Sequence, residues 1–382
     1  MSRNASRPKI SNDTAITKGD EKLVLVFQGG GALGSYQGGA FEALAHHGAR
    51  PDWVSGISIG AINCALIAGN PPGERVAAMR DFWSEVSSNT VFGPAWPGNF
   101  AHAAFNEASA ASSVLYGVPG FFKPRFPPTY LVPDGVPGDV GFYDTGPLRR
   151  TLERLIDFDR LNNGETRVSL GAVNVETGNF RYFDSNDTRI GPEHVMASGA
   201  LPPGFPPIEI DGHWYWDGGL VSNTPLQYVL DRDHQHDMCI FQVDLFSARG
   251  PVPKTIFDVG EREKDIRFSS RTRLNTDMMK EQRELKRALH RLLRKLPPEL
   301  ESDADARRLL EASNDASITI VHLIYRRSAT GGDSKDYEFS RASIEERWAD
   351  GFADAMETLD NPRFIDRDVP PHSVEVFDLS DG

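Results

Sequence analysis

The chain has 382 residues, 39% hydrophobic and 25% charged, with a formal net charge of −13. That balance predicts a soluble globular protein, one large α/β domain plus an appendage. An acidic field repels phosphodiester backbones, so the composition argues against a nucleic-acid partner.

Residues 1–21 are polar and lack the apolar core of a secretory signal, which predicts a disordered tail. "KLVLVFQ" (Lys22 to Gln28) is short, β-branched and apolar, as a buried parallel strand should be. "GGGALGSYQGGAFEALAHHG" follows, a glycine turn opening a helix with Tyr36, Ala40 and Leu44 on one face and Gly48 at its end. "DWVSGIS" predicts a second strand and "IGAINCALIAGN" a helix of small apolar residues. Strand–helix–strand–helix order predicts a mostly parallel central sheet flanked by helices. Cys64 and Cys239 lie in apolar runs, which predicts buried reduced thiols and a cytoplasmic protein. No run approaches the ~18 apolar residues of a membrane span.

Residues 91–141 are rich in Pro, Gly and aromatics without a period. They read as an irregular insertion, serving either as a lid or as a structural wrap. "DTGPLRRTLERLIDFDRL" starts a helix, capped by Asp144 or Thr145, with Pro147 in its first turn and a stripe of Leu148, Leu152 and Leu155. "RVSLGAVNVETGNFRYFD" predicts a hairpin turning near Thr177 and Gly178. "HVMASGALPPGFPPIEIDGHWYWDGG" predicts a short helix, a proline-rich turn and another hairpin. Met238 to Phe246 is a further buried strand, closing a main domain over 22–246.

Residues 247–382 read as a mainly helical C-terminal extension. Residues 262–295 carry twelve Lys or Arg against five Asp or Glu, and Leu285, Leu289, Leu292, Leu293 and Leu296 share a helical face. The helix over 280–296 fits either docking on anionic lipid or packing against the protein or a second subunit. "SITIVHLIYRR" predicts one more strand and "SIEERWADGFADAMETL" an amphipathic helix.

Three short stretches carry chemistry. "GISIG" (Gly56 to Gly60) places Ser58 where a strand turns into a helix, with small neighbours that permit a tight elbow. Ser58 is thus a candidate nucleophile, or simply a small residue in a buried turn. "GGGALG" satisfies G-x-G-x-x-G through Gly29, Gly31 and Gly34. One reading is a dinucleotide loop of an oxidoreductase, but the acid expected at the end of the second strand is missing, because Asp52 precedes that strand. The other is an oxyanion hole in which the N–H groups of Gly30, Gly31 and Ala32 converge. "YWDGGLVSNTPL" places Asp217 after an aromatic strand, followed by Gly218 and Gly219. Aromatic neighbours would raise its pKa and make it a better base, although Asp-Gly-Gly also occurs in surface turns. His322 and His372 fit a base poorly, the first within a strand and the second near a polar terminus.

Together "GGGALG", "GISIG" and "DGG" resemble the patatin-like phospholipase family in order and spacing, over roughly Lys22 to Phe246. "KDYEFSR" and "RWADG" are similar to a bacterial subgroup with an extra C-terminal domain. The resemblance implies a patatin-like α/β fold and hydrolysis of a lipid carboxylic ester. Ser58 and Asp217 would form a dyad without histidine, beside an oxyanion hole of Gly30, Gly31 and Ala32. No metal or cofactor is implied, and the partner is a lipid or other acyl-ester substrate; lipid contact through 280–296 stays one of the two readings of that helix, beside packing against the protein or a second subunit. Leu33 stands where the family often carries Arg or Lys. Phe121, Phe122, Phe126 and Tyr130 in the insertion are candidates for the acyl-chain wall. A catalytically silent lipid- or protein-binding scaffold is the remaining alternative.

Overall fold

The computed structural model describes residues 16–87, 109–131, 136–233, 236–269, 272–297, 300, 303–313, 316–326, 335–369 and 374–379. Residues 1–15 of the expected tail, 91–108 and 132–135 of the insertion, and His372 lie outside the described residues.

The fold grows from two parallel strands. β1 (Lys22–Phe27) and β2 (Trp53–Ile57) are apolar runs buried on both faces, and they pair with Phe27 opposite Gly56. Each ends in a glycine-rich turn at the same edge of the sheet. α1 (Ser35–His46) follows the first turn and α2 (Ile59–Ala68) the second, with α3 (Arg75–Val86) behind them. A small antiparallel ribbon pairs β3 (Lys123–Pro124) of the insertion with β4 (Tyr143–Asp144) just beyond it.

β5 (Arg167–Asn174) runs parallel to β2, then outlasts it. β6 (Phe180–Asp184) returns antiparallel along its other edge, through the predicted hairpin turn at Gly178 (φ +68°). β7 (Ile208–Ile210) and β8 (His213–Asp217) form the second hairpin, turning at Asp211 and Gly212, both at positive φ. β8 occupies the length of β5 that β2 leaves free. Gly171 lies opposite Ile57, and the next residue, Ala172, lies opposite Asp217. That register brings the end of β8 to the end of β2.

β9 (Met238–Asp244), β10 (Ile318–Ile324) and β11 (Val374–Asp378) extend the other flank. Among the described residues the sheet has nine strands, ordered β11-β10-β9-β1-β2-β5-β8-β7 with β6 on β5. Every pair from β11 to β5 is parallel. The observed fold is therefore the mostly parallel α/β sheet that the element order predicts.

Two expected boundaries change. The region after Phe246 supplies β10 and β11, so it completes the sheet as well as contributing helices. Its Arg341–Leu359 helix lies directly against α1, because Gly39 and Gly351 bring the two backbones together. A Cβ on Gly39 would sit 1.8 Å from the Trp348 carbonyl oxygen, and one on Gly351 2.0 Å from that of Tyr36. Tyr36 Oη also donates to Asp354 at 2.8 Å. Of residues 16–21, expected in the tail, the two ends pack against the fold while residues 18–20 between them are exposed. Ile16 is buried, and Glu21 pairs with Arg367 at 2.8 Å, both side chains 1% exposed. A charge buried that deeply needs its counter-ion, and each anchors the other.

Cys64 and Cys239 are buried free thiols, with burial pushing both pKa values up. Among the described residues no helix is long and apolar enough to cross a membrane.

Candidate active site

Ser58 is the N-cap of α2 and has φ 56° and ψ −123°, a conformation L-residues seldom adopt. The elbow is closed by small residues. A Cβ on Gly56 would lie 2.4 Å from the Gly60 carbonyl, and one on Gly60 2.4 Å from that of Phe27. The Ser58 N–H donates to Ser198 Oγ at 3.0 Å, and that hydroxyl donates to the Gly171 carbonyl at 2.7 Å. Ser198 thus ties the elbow to β5. Among the described residues Ser58 and Asp211 are the non-glycine positions at positive φ, and Asp211 belongs to a hairpin turn. The strain at Ser58 accompanies a half-buried hydroxyl held at the mouth of the sheet.

Asp217 arrives from β8. Its N–H donates to the Ala200 carbonyl at 3.0 Å, and its carboxylate accepts the Gly219 N–H at 2.7 Å and faces the Ser58 hydroxyl. The side chain is buried, and burial pushes its pKa up to about 7 against the lowering effect of those two donors. The two sequence-predicted partners therefore meet, and among the described residues no histidine lines their cleft. His322 is buried in β10, three strands from β2.

The glycine loop faces the same cleft, which encloses about 700 Å³ including its open mouth. Gly31 has φ +55°. Among the described residues the N–H groups of Gly30 and Gly31 have no hydrogen-bond partner, whereas Ala32 N–H donates to the Asp336 carbonyl at 2.9 Å. The expected trio of amides is thus reduced to two, because a carbonyl from late in the chain occupies the third. Leu33 is fully buried in the core.

A polar belt that the sequence reading missed holds this loop. Asn223 Nδ2 donates to the Gly29 and Phe268 carbonyls, both at 3.1 Å. Gln28 Oε1 accepts the N–H groups of Leu245 at 2.6 Å and Phe246 at 2.9 Å, and Gln28 Nε2 donates to Phe268 at 2.9 Å. Asn63 Nδ2 donates to the Gly34 carbonyl at 3.0 Å. An amide side chain directly after a strand, as in "VFQGGG", was the available signal.

The cleft wall is aromatic. Phe121 and Phe122 of the insertion line it, together with Phe205, Phe246, Phe268 and Phe339. Phe126 and Tyr130 do not line it; they are 94% and 80% exposed. Both rings stand on the surface, while Phe121 and Phe122 pack among Phe205, Tyr143 and Phe339. Asp52 accepts the Leu23 N–H at 2.7 Å, which puts it at the start of β1, the opposite end of the strand from the glycine loop.

A family model described as patatin-like phospholipase matches residues 25–230, and a second, described as patatin phospholipase, matches residues 266–371. Over 67 residues the sequence is 39% identical to a Caenorhabditis elegans protein named as patatin-like phospholipase domain-containing; the match spans 18% of this chain and 6% of that protein. Among solved structures, VipD from Legionella pneumophila is similar at a TM-score of 0.40 and 15% identity, over 90% of this chain and 67% of that one.

Proposed function

Since this chain belongs to the patatin-like phospholipase family, we propose that it hydrolyses lipid carboxylic esters with Ser58 as nucleophile and Asp217 as general base. One observation carries the reading: the Ser58 hydroxyl faces a buried carboxylate of raised pKa in a cleft that also holds two unpartnered backbone amides.

Ionised Asp217 removes the hydroxyl proton as Ser58 Oγ attacks the ester carbonyl carbon. Negative charge develops on the carbonyl oxygen, where the Gly30 and Gly31 N–H groups stabilise it without a reorganisation cost. The tetrahedral adduct collapses, the ester C–O bond breaks, and Asp217 returns the proton to the leaving alcohol. Water then attacks the acyl–Ser58 carbonyl while Asp217 takes its proton. Collapse of the second adduct breaks the Ser58 Oγ–carbon bond, Asp217 returns its proton to Oγ, and the acid leaves with both side chains restored. A carboxylate with a pKa near 7 suits both directions of transfer near neutrality.

A fluorophosphonate probe followed by peptide mapping tests this directly. The expected product is a single labelled peptide carrying the adduct on Ser58. Labelling at another residue, or none, would refute the nucleophile assignment. The dinucleotide reading of "GGGALG" loses support because Asp52 lies at the far end of β1. The silent-scaffold reading predicts no label.

The aromatic wall supports an acyl-chain site, with Phe122 and Phe205 in tilted contact at 5.2 Å. Phe205→Ala should raise KM for a decanoyl ester about tenfold relative to a butyryl ester, the scale of losing one buried aromatic contact surface. Phe126→Ala should leave the chain-length profile unchanged. Leu285 and Leu292 of the Thr272–Leu293 helix are exposed, close in sequence to Arg287 and Arg291, which supports peripheral contact of this helix with anionic lipid as part of the same reading.

A further inference from the structure

Gly31 is the most constrained residue of the glycine loop, and what constrains it comes from the far end of the chain. A Cβ there would lie 2.3 Å from the Asp336 carbonyl oxygen. The same oxygen accepts the Ala32 N–H at 2.9 Å. So close an approach of one main chain to another needs the approaching segment to be held firmly, and it is held at both ends.

At its start, Lys335 is 5% exposed and pairs with Glu261 at 3.2 Å and Asp265 at 2.7 Å. Asp336 accepts a hydrogen bond from Lys264 at 3.1 Å. All three partners lie on the Ile256–Phe268 helix, whose final residue lines the cleft and receives the Gln28 and Asn223 amides. At its finish, the Glu338 carbonyl accepts Arg347 Nη1 at 2.9 Å, and the two side chains pair at 3.4 Å with 0% and 6% exposure. Arg347 belongs to the Arg341–Leu359 helix packed on α1.

We infer that Lys335–Phe339 is a positioning clamp for the oxyanion loop. The Asp336 carbonyl takes the Ala32 amide and fixes the path of the loop, leaving the Gly30 and Gly31 amides as the donor pair turned to the reacting oxygen. Lys335 is the positioning residue that sets the clamp, through its two carboxylates. The inference rests on the hydrolase reading and adds to it. A region outside the Ser58–Asp217 half of the chain sets the geometry of transition-state stabilisation.

The clamp acts on geometry in the transition state, so loosening it should lower kcat and spare KM. Lys335→Met is measured on the full-length protein with p-nitrophenyl butyrate, alongside hydrogen–deuterium exchange of the peptide containing Ala32. Exchange at that peptide should accelerate about tenfold or more as local opening becomes easier. The kcat should fall about tenfold, within the range produced by sub-ångström to ångström misplacement of reacting groups, with KM within about twofold. Lys335→Arg, which keeps the charge, should restore both. If Lys335→Met does not fold, Lys264→Met is read instead, since Lys264 is 23% exposed and releases the same segment through Asp336.

Unchanged exchange at the Ala32 peptide overturns the clamp. So does accelerated exchange with an unchanged kcat, or a parallel rise in KM, or failure of Lys335→Arg to rescue. Absence of Ser58-dependent turnover in the wild type is a separate result: it overturns the hydrolase reading, and with it the catalytic role given to the clamp.

Discussion

Ser58→Ala is expected to lower kcat/KM for any ester substrate by at least about a thousandfold, since knocking out a nucleophile removes the whole covalent route and leaves only binding and oxyanion stabilisation. Steady-state assays with the purified variant, normalised to folded protein, check it. The fold should survive. Ser58 is half-buried, and alanine at φ 56° is strained no more than serine. A thermal midpoint close to the wild type, combined with loss of turnover, separates chemistry from misfolding. Retention of full activity, with contaminating esterases excluded, would leave the hydrolase reading without a nucleophile.

Asp217→Asn is the second large effect. The amide cannot take the serine proton, so a fall of about 10² to 10⁴ in kcat is expected, the usual contribution of a general base. The wild type carries a matching pH signature. Burial raises the Asp217 pKa to about 7, so log kcat/KM should drop by one per pH unit below that value and level above it. Stability should move the other way. The folded state keeps a proton that the unfolded chain releases near the ordinary carboxylate pKa of about 3.9. Between those two values folding is coupled to proton uptake, so this stabilisation is complete at low pH and is lost as pH rises toward about 7. The substituted amide has no such proton. Urea unfolding at several pH values should therefore show the variant gaining on the wild type from about pH 4 to 7 and running parallel above it. A constant difference across that window would mean that the carboxylate is not the buried acid described here.

The parts of this site that were legible in the sequence were those written in a few adjacent residues. A β-branched run before glycines marks a parallel strand end, and two such ends in neighbouring strands share an edge. Ser58 and the loop at Gly30 were reachable from that alone. Asp217 was reachable because an aromatic strand before Asp-Gly-Gly is too apolar to sit on a surface. Phe205, Phe268 and Phe339 were not reachable. Each lies in unremarkable local sequence, and what unites them is contact between segments far apart in the chain. The same limit explains Ala32, whose amide looks available until Asp336 arrives. It explains why residues 247–382 read as an appendage when β10 pairs with β9 and β11 with β10. Gly38, Gly39 and Gly351 were a usable hint, since bare positions inside helices often mark close backbone contact, but they do not name the partner.

The sheet order also governs how the molecule is made. Ser58 and Asp217 leave the ribosome well before β10 and β11 do, and until then β9 is an open, apolar border with every backbone donor and acceptor on one side unpaired. Such a border invites pairing with any other extended chain. Cutting the gene after Phe246 would not give a minimal enzyme; it would give a polypeptide whose stickiest margin is permanently bare. Synthesis to the last strand is what renders the first ones safe.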